Sequence, residues 1–245
     1  MRGLALLRAA TAHRRSRAAD RFLALSLAFV AGAINAGGFL AVGQYTSHMT
    51  GIVSAVADNL ALGLAGAALL GLLALASFLA GAAASALLIN WGRRHQQPRQ
   101  YALPIAVEAL LLLGFGVLGA AFRDPALLRG LAMPLLCFLM GLQNATITKL
   151  SGARMRTTHL TGMLTDAGIE LGKLLYPDRR HPDLPPVRAD LPKLALLARL
   201  VGLFFGGGVA GALGFGHWGY LFCVPLALFL LALALPRLLR RPGRA

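Results

Sequence analysis

Residues 22–42 read FLALSLAFVAGAINAGGFLAV and lead into Tyr45-Thr46-Ser47-His48-Met49-Thr50-Gly51. In the second half of the chain, Gly141-Leu142-Gln143-Asn144-Ala145 leads into Arg156-Thr157-Thr158-His159-Leu160-Thr161-Gly162, matching Gly32-Ala33-Ile34-Asn35-Ala36 and the turn behind it. Each copy closes an apolar run of membrane-spanning length with an Asn, a Thr/Ser-rich turn, a His and a Gly. Polar and helix-breaking residues are expensive in a bilayer unless they line a cavity or pair inside the protein. Two matched copies are the mark of an internally duplicated membrane fold.

Working outward, composition agrees. Of 245 residues 57% are hydrophobic and 13% charged, with a mean hydropathy of +0.67. Segments 22–42, 64–89, 131–148, 194–215 and 219–235 carry almost no charge over roughly the 20 residues needed to cross hydrocarbon. A sixth, 102–122, contains one acid, Glu108. The expected fold is therefore an all-α polytopic membrane protein with six transmembrane helices. The domains follow: a basic cytoplasmic tail over 1–21, one membrane domain over 22–236, and a basic cytoplasmic tail over 237–245.

The net charge of +15 does not point to nucleic acid. Arg2, Arg8, Arg14, Arg15, Arg17 and Arg21 precede the first span, Arg93, Arg94 and Arg99 follow the second, and Arg237, Arg240, Arg241 and Arg244 follow the last. Clusters beside spans are the positive-inside signal and touch anionic membrane lipid; no soluble domain presents a groove. The basic start followed by Ala31-Gly32-Ala33 imitates a signal peptide. Cleavage there would cut through the first motif copy, so 22–42 reads as a retained span. Cys137 and Cys223 both lie in apolar spans and read as packing residues, not as a disulfide framework or a metal cluster.

Between His48 and Gly63 lies a stretch too polar and short for a comfortable span, and its counterpart runs from His159 to Lys173. Counted from each His, Thr50 matches Thr161, Ser54 matches Thr165, Ala55 matches Asp166 and Asn59 matches Glu170. In the second copy His159, Met163, Asp166, Glu170 and Lys173 form a stripe at helical spacing, opposite Leu160, Leu164, Ala167, Leu171 and Leu174. Basic residues place the N-terminus, 91–100, 149–156, 176–193 and the C-terminus in the cytoplasm, and leave 123–130 outside. Both motif helices are then re-entrant or interfacial, and the halves, about 22–122 and 131–236, form a 3+3 inverted repeat; a threading with eight full crossings also leaves both ends cytoplasmic.

The two motif blocks, with Thr165-Asp166-Ala167-Gly168-Ile169-Glu170-Leu171-Gly172 behind the second, resemble the YoaK family of small bacterial integral membrane proteins, built around a domain of unknown function. The resemblance covers roughly 21–235. One departure is Ile52, where similar proteins carry Asn after the first Thr-Gly. The resemblance implies a bacterial inner membrane and no established activity, so function rests on the residues.

Candidates for a solute pathway are Asn35, Thr46, Ser47, His48, Thr50, Asn144, Thr157, Thr158, His159, Thr161, Asp166 and Glu170. The two Asn amides cap broken helices, bridge neighbouring helices, or line a path beside helix ends. The two histidines either cap the helices that follow or titrate in a pore; the spacing is not that of a metal site. Asp166 and Glu170 repel unless shared with Arg154, Arg156, Lys173 or a proton, and like charge with partial burial should raise one carboxylate. Glu108 is either a functional acid inside the membrane or snorkels to the cytoplasmic interface. Gly202, Gly206, Ala210 and Gly214, like Gly207 and Gly211, allow close helix approach within the bundle or between subunits of a homo-oligomer.

The expected function is a transporter or channel for a small polar solute or ion. An intramembrane enzyme using His48, His159 and Asp166, and a non-catalytic protein that binds lipid or assembles with partners, are the alternatives. The absence of a nucleophile–base spacing or a cofactor motif counts against the enzyme. No ATP-binding motif is present, which makes any transport passive or ion-coupled.

Overall fold

The computed structural model describes residues 17–95, 99–121, 125–152, 155–176 and 186–239, and among them the chain is entirely helical. Helix α1 spans Arg17–Val42, α2 Met49–Ala61, α3 Ala65–His95, α4 Ala102–Ala121, α5 Pro125–Ser151, α6 Leu160–Leu175 and α7 Leu191–Trp218; a 3-10 turn, Gly219–Phe222, leads into α8, Cys223–Leu238. The expected tails at 1–16 and 240–245, and the loop residues Arg123, Asp124, Arg154, Arg179 and Arg180, lie outside the described residues.

Five stretches are long and apolar enough to cross a membrane: Ala18–Ala41, Ala65–His95, Ala102–Ala121, Gly130–Ser151 and Leu191–Leu238. The first four correspond to the spans expected over 22–42, 64–89, 102–122 and 131–148. The two expected over 194–215 and 219–235 form one apolar stretch of 48 residues. It breaks where Gly219 takes φ +54°, in the left-handed region that glycine enters without a Cβ penalty. By itself α8 has 16 residues, fewer than the roughly 20 that hydrocarbon requires.

Exposure fits a bilayer rather than water. Leu69, Leu70, Leu72, Leu73, Leu79 and Leu87 of α3 are all exposed, a contiguous apolar face that a soluble monomer would not leave open. That face ends in Trp91, Arg93, Arg94 and His95, an aromatic and basic border of the kind that sits at a membrane interface and complements the helix C-terminus.

Two helix pairs hold the bundle together, and they are built alike. In the first, α1 packs on α7: a Cβ on Gly32 would strike the Phe204 carbonyl, one on Gly207 the Phe29 carbonyl, and one on Gly211 the Ala33 backbone. In the second, α3 packs on α5: Gly141 meets the Phe78 carbonyl, and Gly81 meets that of Phe138. Around the reciprocal Phe–Gly contacts at each crossing, positions rise together (29 with 207, 33 with 211, 37 with 215; 78 with 141, 85 with 146), so both pairs run parallel. Such backbone approach is what small residues permit in a membrane, where packing rather than water exclusion drives association. The second pair adds a buried hydrogen bond, Ser85 Oγ to Thr146 Oγ1 at 2.8 Å, while Thr146 donates to the Leu142 carbonyl at 2.7 Å.

Between these pairs α1 touches α5, and α4 lies antiparallel to α8, with Gly116 against Cys223 and Gly119 against Tyr220. The core they enclose contains Leu27, Ile34, Ile105, Leu112, Leu136, Leu139 and Leu230, all essentially inaccessible. On α7, Gly207, Gly211 and Gly214 are buried, whereas Gly202 and Gly206 face open space. Packing within the chain therefore uses only part of the expected small-residue stripe.

Candidate functional site

Each motif Asn ties down its own turn. Asn35 is nearly buried near the end of α1, and its Oδ1 accepts from the Ser47 N–H at 3.2 Å and the Ser47 hydroxyl at 3.0 Å. Asn144 occupies the same place on α5; its Nδ2 donates to the Met140 carbonyl at 2.8 Å and to Thr158 Oγ1 at 2.7 Å. Ser47 and Thr158 each directly precede the motif His, so one contact is made twice. The turns fold back onto the bundle and bury Thr46 and Thr157 completely.

His48 and His159 occupy the N-cap positions of α2 and α6, but neither side chain caps by a hydrogen bond. Their backbone carbonyls accept instead, from the N–H of Ile52 and of Met163, both at 3.1 Å. Each imidazole packs against the glycine three residues on, His48 on Gly51 and His159 on Gly162, where a Cβ would strike the ring. The Thr-Gly of each motif therefore makes room for the imidazole. Both histidines are exposed, as are Thr50 and Thr161.

A buried polar chain passes from the second turn into the core. Thr157 Oγ1 donates to Gln143 Oε1 at 3.2 Å, and Gln143 Nε2 donates to Glu108 Oε1 at 2.8 Å. All three side chains are inaccessible, and Glu108 Oε2 has no hydrogen-bond partner. Glu108 does not snorkel: α4 places it against α5, facing inward. In the first copy Ile34 stands where the second has Gln143, and Thr46 Oγ1 is left without a partner. Sequence reading flagged Glu108 as the lone intramembrane acid, yet nothing local links it to Gln143 or Thr157.

Asp166 and Glu170 are bound up in fastening α6 to α7. Glu170 Oε2 accepts from the Asp190 N–H at 2.9 Å, while Lys173 Nζ lies at 3.1 Å and Lys193 Nζ at 3.4 Å from Oε1. Lys193 also reaches Asp166 Oδ1 at 3.7 Å, and Asp190 caps α7 by accepting from the Lys193 N–H at 2.9 Å. The Asp190 N–H and then Lys173 hold the Glu170 carboxyl below its ordinary range, opposite to the rise expected from like charge. Lys173 was an expected partner; Lys193 was not, because it stands 23 residues from Glu170. Arg156 is exposed.

A cleft of about 480 Å³ opens beside the first motif, lined by Gln44, by Ile52, Val56 and Asn59 of α2, by Leu70 and Gly71 of α3, and by Pro134 of α5 among others. Pro134 has no N–H to return to the Gly130 carbonyl, and both residues line the cleft. None of the twelve pathway candidates lines it. No group of three His, Cys, Asp or Glu residues stands ready to hold a metal among the described residues. No curated protein and no solved structure matches the chain. One family model does, described as a protein of unknown function (DUF1275), over residues 23–235. The match spans the whole set of long apolar helices, and the chain belongs to that family of unknown function.

Proposed function

We propose that this protein is a transporter or channel for a small polar solute or ion, not an enzyme, in the bacterial inner membrane with both termini cytoplasmic. Six crossings and two re-entrant helices, α2 and α6, make a 3+3 inverted repeat. The observation that carries the reading is the crossed, parallel packing of the halves. Helix α1 of the first half pairs with α7 of the second, and α3 with α5, through the same Phe-carbonyl-to-Gly contact. Inverted repeats that interleave in this way place broken segments around a shared central region, where alternating-access proteins bind solute. Burial of Asn35, Thr46, Gln143 and Thr157 inside the bundle supports a polar path, because such groups are costly in a bilayer without a use.

A second reading, a non-transporting membrane protein that binds lipid or assembles with partners, draws support from the Asn35–Ser47 and Asn144–Thr158 hydrogen bonds, which stay within each copy. An untargeted uptake screen in proteoliposomes separates the two. Wild-type vesicles should accumulate or release at least one small polar solute above empty vesicles, and Asn35→Leu/Asn144→Leu should reduce that flux at least tenfold. Flux identical to that of empty vesicles across the panel would leave the second reading standing.

A further inference from the structure

We propose that Glu108 is a proton-binding site in the interior of the membrane domain, with Oε2 as the oxygen that takes up and releases the proton. For its use in coupling, this rests on the transport reading; for its existence, it does not.

The geometry divides the carboxyl in two. Oε1 is committed, accepting from Gln143 Nε2 at 2.8 Å, and the amide is itself oriented because its Oε1 accepts from Thr157 Oγ1 at 3.2 Å. Oε2 is fully buried without a partner. An isolated carboxylate in an apolar interior costs several kcal/mol or more unless it is paired or neutralised. Among the described residues, no cation pairs with it. The apolar stretches packed against α4 are 65–92 of α3, 130–148 of α5 and 223–236 of α8, and none contains Lys, Arg, His, Asp or Glu. Their titratable groups are Cys137 and Cys223, both buried; Tyr220, in the turn before α8, packs further along α4, on Phe115. A proton on Oε2 removes the charge and leaves the Gln143 hydrogen bond intact.

Gln143 and Thr157 are positioning residues. An amide does not relay protons readily, so they fix Oε1 and leave Oε2 as the exchanging atom. Thr157 belongs to the turn that continues into exposed His159, so occupancy of Glu108 is mechanically linked to the second motif. The site exists once, since Ile34 replaces Gln143 in the first copy. This moves proton handling away from Asp166 and Glu170, whose charges are shared with Lys193 and Lys173.

Infrared difference spectroscopy of the protein in phosphatidylcholine vesicles reads this site without any solute. At neutral pH wild type should show one carboxylic-acid carbonyl band, shifted in heavy water, that is lost as pH rises further. Glu108→Gln should abolish that band, and Asp166→Asn should leave it. Gln143→Leu, the safeguard if Glu108→Gln fails to assemble, should keep the band but move it to higher frequency as the hydrogen bond to Oε1 is lost. A wild-type spectrum with no such band, a band unchanged in Glu108→Gln, or one displaced by sodium at fixed pH would overturn the proposal. A band that behaves as expected in a protein that moves no solute would sustain the proton site and defeat the transport reading alone.

Discussion

Asn35 and Asn144 illustrate what a single side chain does here: the Asn35 amide oxygen accepts the Ser47 N–H as the chain turns, and the Asn144 amide holds the second turn through the Thr158 hydroxyl. Glu170 does comparable work between α6 and α7, and its effect can be read from pH. Its carboxyl is held below its ordinary value of 4.5 by the Asp190 N–H and Lys173. A group depressed in the folded state contributes stability that is present above its unfolded value and lost as pH falls through its folded one. Melting followed by circular dichroism in detergent should therefore show Glu170→Gln less stable than wild type at neutral pH, with the difference shrinking below about 4.5. Parallel pH profiles for the two proteins would remove Glu170 from the joint.

Among the elements, α6 is the most instructive. Its stripe of His159, Met163, Asp166, Glu170 and Lys173 reads in sequence as one side of an amphipathic helix; Met163 and Glu170 are buried while Leu164, Leu171, Leu174 and Leu175 are exposed. The helix turns Met163 and Glu170 to the protein and its leucines outward, the sense expected when the surroundings are lipid. The parallel pairs α1–α7 and α3–α5 make the sharpest test of packing. Gly81→Ala and Gly207→Ala each push a Cβ into a Phe carbonyl of the partner helix and should cost about 1–3 kcal/mol. Gly202→Ala, with open space around it, should be neutral or slightly stabilising. A thiol-reactive dye reports the melting directly, because Cys137 and Cys223 are buried until the fold opens. Equal melting of all three variants would mean that the close approach carries no stability.

For the whole molecule, the open matter is orientation. If the halves are inverted, the short connection before α3 and the connection before α7 face opposite sides of the membrane. Leu62 and Arg188 are exposed in those connections, and the native cysteines are buried. In whole cells, Leu62→Cys should react with an impermeant maleimide added outside. Arg188→Cys should react only after the membrane is permeabilised, a contrast of roughly tenfold or more given the barrier that hydrocarbon poses to charge. Labelling of both from one side would dismantle the inverted repeat.

Sequence alone determined that this chain is helical and membrane-embedded, where its first four spans run, and which residues form the duplicated motif, because these follow from local hydropathy and from repeated Asn, His and Gly. The Gly141-x-x-Asn144 echo of Gly32-x-x-Asn35 was visible, as was the matching of Asn59 with Glu170. What only tertiary structure decided is which groups meet. Phe78 and Gly81 reappear as Phe204 and Gly207, but the pairing of α3 with α5 and α1 with α7 joins residues far apart in the chain. The same holds for Lys193 beside Glu170 and for Thr157 and Gln143 beneath Glu108. Burial of a carboxyl is a property of what surrounds it, and in this protein those surroundings come from the other half of the chain.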